Sequence, residues 1–177
     1  MPNYDENDPQ IGETWIRSSA HVSADVQLHG EQPNDGFGIA VAGTRDISGN
    51  GAHDVLVGAP LFDQGGGVLV GRVYLFQGAD GTLVHQFTGT HPRGFFGTSV
   101  AEIGDVTGDG VPDVAIGAPG AGPNEAGKVY VYSGADGTLL HELLGESRDD
   151  GFGYAIARAG KINGDNVDDL VVKRALF

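Results

Sequence analysis

The chain has 177 residues, 31 of them Gly, with 24 acidic against 10 basic side chains, a formal charge of −14 and no Cys. That length can bury a core, and the interleaving of Gly with Val, Ile, Leu and aromatics excludes both collagen and low-complexity disorder. The charge argues against a nucleic-acid partner, the lack of Cys excludes disulfides and thiolate metal sites, and no apolar stretch reaches the roughly 18 residues of a membrane span.

Residues 1–13 are an acidic, polar tail (Asp5, Glu6, Asp8, Glu13), the reverse of a secretory signal peptide. From there the chain repeats. Phe37-Gly38, Phe96-Gly97 and Phe152-Gly153 stand 59 and 56 residues apart, and a long fixed period marks a repeat architecture. Before the first of them, residues 14–30 are weak kin of the segment from Val129 to Gly145. Trp15 falls where Tyr130 does and Leu28 where Leu143 does, with His21-Val22 in the turn position. The first full copy, residues 31–88, runs from Phe37 through an acidic loop, Asp46 to Asp54. Val57-Gly58-Ala59-Pro60, a run from Val73 to Gln77 and the turn Ala79-Asp80-Gly81-Thr82 follow. The second, residues 89–144, keeps this order with Asp105 to Asp113, Ile116-Gly117-Ala118-Pro119, Val129 to Tyr132 and Ala135-Asp136-Gly137-Thr138. The third, residues 145–177, retains Phe-Gly and the loop to Asp169, then carries Lys173-Arg174 where Gly-Ala-Pro is expected.

Each full copy reads as four short strands. After Phe-Gly, bulky and small residues alternate, with Phe37, Ile39 and Val41 expected on one face. Gly38, Ala40 and Ala42 make the other face thin enough for a second sheet to approach. The second strand is an apolar run ended by Pro, which cannot donate to a ladder. The third and fourth flank Ala-Asp-Gly-Thr, where Gly supplies positive φ. No helical period persists for ten residues. The fold class is all-β, and four-stranded antiparallel units at this period are β-propeller blades. Two full blades between a degenerate half blade (14–30) and a partial third (145–177) amount to about three, short of the roughly four to eight of a closed ring. The expectation is a piece of a longer propeller, or self-association in which the terminal half blades complete each other across two chains.

The acidic loops carry the chemistry. Asp105-x-Thr107-x-Asp109-Gly110-x-x-Asp113 sets oxygen side chains at loop positions 1, 3, 5 and 9, with the Val111 carbonyl at position 7. Calcium takes six to eight such hard oxygens in flexible geometry, whereas magnesium demands a stricter octahedron. An EF-hand would need Glu at position 12, which is Ile116, and a helix where a strand follows. The first loop offers Asp46, Ser48, Asn50 and Asp54 with Ala52 at position 7. The third offers Asn163, Asp165 and Asp169 with Val167 at position 7, but Lys161 occupies position 1 and Asn166 replaces the glycine. Two Ca²⁺ sites are expected, in the affinity order second, first, third. The third is in question because the Lys161 ammonium can itself take the cation's place.

Phe-Gly, the acidic loop and Gly-Ala-Pro, recurring in order over roughly residues 26–172, resemble FG-GAP repeats. These are the blades of the integrin α-subunit N-terminal β-propeller and of many bacterial surface proteins. The resemblance implies an extracellular or cell-surface scaffold, an adhesion or ligand-binding module whose protein or glycan ligand the residues do not name. Its alternatives are an accessory segment of a secreted carbohydrate-active or other hydrolytic enzyme, or a propeller fragment without independent function. A non-enzyme is expected. Gly122 to Lys128 mimics a phosphate-binding loop but leads into Val129 and a strand. No serine sits in a Gly-x-Ser-x-Gly setting, and the recurring carboxylates belong to the loops.

Overall fold

The computed structural model describes residues 11–17, 25–165 and 167–175. Most of the acidic tail, His21-Val22, Asn166 and Leu176-Phe177 lie outside the described residues.

Strands β1 (Glu13–Ile16) and β2 (Val26–His29) pair as a two-stranded sheet. The first four-stranded antiparallel meander is β3 (Ala40–Gly43), β4 (Asp54–Ala59), β5 (Arg72–Gln77) and β6 (Leu83–Thr88). The second is β7 (Ser99–Gly104), β8 (Asp113–Ala118), β9 (Lys128–Tyr132) and β10 (Leu139–Leu144), and β11 (Ala155–Gly160) pairs with β12 (Asp169–Lys173) in a last two-stranded sheet. A 3₁₀ turn at Pro123–Glu125 is the one helical element among the described residues. The architecture is nearly all-β, a stack of propeller blades that is incomplete at both ends.

Three apolar layers hold the stack together. Leu28, Phe37, Val57, Tyr74 and Phe76 fill the space between β1–β2 and the first blade. Leu56, Val73 and Leu75 meet Val114, Ile116 and Tyr130 between the two full blades. Ala101, Ala115, Val129 and Val131 receive Ile156, Leu170 and Val172 from the last pair. Because strand side chains alternate, β4 and β8 each supply two of these layers and are buried almost throughout.

Phe37 departs from the expected alternation. It is buried before β3 begins, packed edge-on against Tyr74 and Phe76, whereas Ile39 and Val41 are exposed. Positive φ at Gly36 (74°) and Gly38 (88°) turns the chain between them, so the period-2 pattern starts only after the Phe-Gly pair. Ala40 and Ala42 do face the neighbouring blade. The glycine of Gly-Ala-Pro has a different task. A Cβ built at Gly58 would run into the Gly97 carbonyl of the next blade, and one at Gly117 into that of Gly153. Each Gly-Ala-Pro glycine therefore receives the backbone of the following Phe-Gly pair.

Candidate metal centre

The three acidic loops join β3 to β4, β7 to β8 and β11 to β12, so they share one edge of the stack. Their last residues, Asp54, Asp113 and Asp169, open the second strand of each unit and staple the loop start by the same pair of bonds. Ile47 and Ser48 N–H donate to Asp54 Oδ2 (2.8 and 2.7 Å), and Val106 and Thr107 N–H to Asp113 Oδ2 (2.8 and 3.2 Å). Ile162 and Asn163 N–H donate to Asp169 Oδ2 (2.8 and 3.2 Å). Position 5 repeats too: Asn50 Oδ1, Asp109 Oδ1 and Asp165 Oδ1 accept the N–H of Ala52, Val111 and Val167 at 2.7, 2.8 and 2.9 Å. The loops are one backbone device with different side chains.

Position 1 separates them. Asp46 accepts the N–H groups of Asn50 (3.0 Å) and Gly51 (2.7 Å). Asp105 accepts those of Gly108 (2.6 Å), Asp109 (3.2 Å) and Gly110 (2.8 Å). The N–H of Gly51 above all holds the Asp46 carboxyl below the usual aspartate range, and that of Gly110 does the same for Asp105. Asp113 moves the other way, because burial pushes its carboxyl up despite three backbone donors, the third being Gly134 N–H at 3.1 Å. In the third loop the Asn163 amide nitrogen sits between two carboxylates, donating to Asp165 Oδ2 and Asp169 Oδ1 at 2.9 Å each.

The donor set of the first two loops is oxygen throughout, the chemistry a hard cation takes. Among the described residues, no three His, Asp or Glu side chains group closely enough to hold a metal by themselves. Any cation there would draw on the hydroxyls of Ser48 or Thr107 and on main-chain carbonyls as well as on carboxylates. Thr107 Oγ1 already lies 3.2 Å from Asp105 Oδ1, and Ser48 Oγ 3.1 Å from Asp54 Oδ1.

The FG-GAP repeat family matches residues 37–76 and 96–132, the stretches from Phe-Gly through the third strand of each full blade. This is an FG-GAP repeat protein. It is similar to integrin alpha-IIb of Mus musculus, 38% identical over 160 residues that cover 82% of the chain and 15% of that protein. Against integrin alpha-8 of Gallus gallus it is 34% identical over 177 residues, covering 92% of the chain and 17% of the relative. Against integrin alpha-PS2 of Drosophila melanogaster it is 36% identical over 165 residues, covering 82% and 12%. The chain thus spans less than a fifth of the length of these relatives.

Two features of this FG-GAP edge escape a search for acidic loops. The fourth loop position is glycine in every copy, with φ of 73° at Gly49, 82° at Gly108 and 84° at Gly164. Its recurrence at one offset was the available signal. The second is an ion ladder across the units: Arg45 Nη2 to Glu102 Oε1 (2.8 Å), Glu102 to Arg158 Nη1 (3.5 Å), and Arg158 Nη2 to Asp168 Oδ2 (2.7 Å). Burial raises the Glu102 carboxyl, but the bonds from Arg45 and Gly104 outweigh it and hold the group low. Glu102 and Arg158 hold the same position of their copies with opposite charge, whereas Arg45 and Asp168 stand at other positions, so no single repeated residue type marks the ladder in the sequence. Elsewhere His85 Nε2 reaches the Gly134 carbonyl of the next blade (3.0 Å). The Gly122–Lys128 segment enters β9 rather than a helix.

Proposed function

We propose that this chain is a calcium-binding FG-GAP propeller segment that acts outside the cell or at its surface as an adhesion or ligand-binding scaffold. Residues 31–88 and 89–144 are its full blades, and it performs no catalysis. The observation that carries this reading is the repetition of one carboxylate-stapled, all-oxygen loop on one edge of successive blades. Simple turn chemistry calls for no such matched set. In the second loop Asp105, Thr107, Asp109 and Asp113 with the Val111 carbonyl hold the ion, and in the first Asp46, Ser48, Asn50 and Asp54 with that of Ala52. The third set, Asn163, Asp165, Asp169 and the Val167 carbonyl, binds most weakly. The ion neutralises clustered carboxylates and stiffens the turn into the second strand. Extracellular modules bind calcium with dissociation constants of about 10⁻⁴–10⁻³ M, so even weak loops fill there. Similarity to integrin α subunits supports a protein or glycan partner for the assembled propeller. No helix among the described residues is long and apolar enough to cross a membrane.

Thermal unfolding in millimolar calcium and in chelator tests the reading. A ligand held only by the folded state raises the midpoint. An unchanged midpoint, with no heat of calcium binding by calorimetry, overturns it.

A further inference from the structure

At position 5 the first two acidic loops differ by a single group: Asn50 carries an amide NH2 where Asp109 carries an oxygen, and glycine follows in both. The backbone around the two is the same. Gly51 and Gly110 have φ of 88° and 90°, and each donates its N–H to the position-1 aspartate, at 2.7 and 2.8 Å. Asn50 Oδ1 accepts the Ala52 N–H at 2.7 Å as Asp109 Oδ1 accepts that of Val111 at 2.8 Å. An aspartate at position 50 therefore enters a frame that the second loop already builds around one.

Asparagine followed by glycine is also the pair that makes this exchange unaided. The glycine nitrogen attacks the side-chain carbonyl carbon and closes a five-membered imide, which the missing Cβ leaves unobstructed. The first loop supplies what that step needs. Asn50 and Gly51 are exposed, and nothing lies within 4 Å of a Cβ built on Gly51. The Ala52 N–H polarises the Asn50 carbonyl and stabilises its oxygen as negative charge develops there. Asp46 Oδ2, 2.7 Å from the Gly51 nitrogen, is placed to receive the proton. The Cγ–N bond forms, the Cγ–NH2 bond breaks, and the amide nitrogen leaves as ammonia with that proton returned from Asp46. Solvent water then opens the imide at the side-chain carbonyl to give aspartate, or at the main-chain carbonyl to give isoaspartate.

The other loop Asn-Gly pair, Asn163-Gly164, is held back. Its amide nitrogen donates to Asp165 Oδ2 and Asp169 Oδ1 at 2.9 Å each, so two charge-assisted bonds tie down the leaving group. Lys161 also stands there in place of the proton acceptor. In the first loop Asp46 and Asp54 take main-chain N–H groups and the Ser48 hydroxyl instead. We propose that Asn50-Gly51 is a self-modification site whose loss of ammonia resets the cation affinity of the first loop. Aspartate gives that loop a third carboxylate, the count of the second loop. Isoaspartate carries the main chain through an extra methylene and takes the frame apart. The affinity change rests on the calcium reading above, whereas the modification itself does not.

The test holds the folded full chain in chelator at neutral pH and follows the peptides of the two loops by mass, reading replacement of NH2 by OH. Asn50 is expected to convert at least about tenfold faster than Asn163, the factor that one charge-assisted hydrogen bond adds to a barrier. Asn50→Gln keeps the first loop unconverted over the same period, because glutamine must close a six-membered ring. By calorimetry Asn50→Asp tightens calcium at the first loop by about tenfold, and the isoaspartyl fraction of aged wild type loses that heat. An Asn50 that stays intact in the folded chain overturns the proposal, and so does one that converts no faster than Asn163. An Asn50→Asp chain that binds calcium at the first loop no tighter than the wild type overturns the affinity change. Absence of calcium heat from both chains overturns the calcium reading along with that change, and the masses still decide the modification.

Discussion

The second and third copies of the repeat begin alike and end differently. Both open on Phe-Gly, both fold an acidic loop by the same pair of N–H bonds to its final aspartate, and both enter a strand in the same register. In the second, Gly134 from the following hairpin adds a third donor to Asp113 and buries it completely; in the third, Asp169 is only half-buried. Asp105 gathers three main-chain N–H groups where the third loop has Lys161, and Gly117 admits the next blade where the third has Lys173. A loop can thus keep its backbone frame while changing the side chain at position 1 and the residue at the end of the strand that follows. The frame needs only glycines and one aspartate.

The largest expected effect breaks this comparison at the strand end. Gly117→Ala forces a Cβ into the Gly153 carbonyl and should cost about 1–3 kcal/mol, in the range of overpacked interiors. Lys173→Ala, at the matching position, should stay within about 0.5 kcal/mol as an exposed substitution. Urea denaturation of both variants measures the contrast, and equal costs would remove it. Next in size is Asp105→Ala, expected to weaken calcium binding at the second loop by at least about tenfold, since affinity follows the number of charged ligands. Calorimetry should show that heat disappear while the first loop still titrates.

The reverse substitution sharpens the same point. Lys161→Asp supplies the missing carboxylate and should tighten the third loop by about tenfold, but not to the level of the second. The Asn163 amide must still turn away from Asp165 and Asp169, and titrating this variant beside Asp105→Ala ranks the loops directly. The smallest effect is acid sensitivity without metal. Asp46, Asp105 and Asp165 are held below the ordinary value of 3.8, chiefly by N–H bonds from Gly51, Gly110 and Val167. A carboxyl depressed in the folded state adds stability above its unfolded value and loses it as pH falls through the folded one. Asp113, raised by burial, acts with the opposite sign and partly offsets them. The chelated chain should therefore lose urea resistance below about pH 4, and Asp105→Asn should lose less between pH 6 and pH 3 than the wild type.

Most of the fold was legible because propeller blades write themselves in local signals. The Ala-Asp-Gly-Thr turns became the β5–β6 and β9–β10 hairpins, and the Gly-Ala-Pro runs became the buried strands β4 and β8. The candidate loops were legible for the same reason, as oxygen side chains at fixed offsets in a short segment. Phe37 misled the alternation because its neighbours Gly36 and Gly38 redirect the chain, which a period-2 pattern cannot register. The Arg45–Glu102–Arg158–Asp168 ladder was invisible because its members meet only once three units are stacked.

The 177 residues by themselves determined the strands and turns of a blade and the oxygen content of its loops, since each depends on residues within about a dozen positions of one another, and the recurrence of Phe-Gly gave the period. The tertiary structure alone decided what the glycines between blades are for. That Gly58 and Gly117 receive a neighbour's backbone depends on the distance between sheets, which no spacing along the chain encodes. The acidic composition likewise acquired an address: seven of its carboxylates, on Asp46, Asp54, Asp105, Asp109, Asp113, Asp165 and Asp169, stand on one edge, held there by main-chain N–H groups rather than spread as a uniform surface.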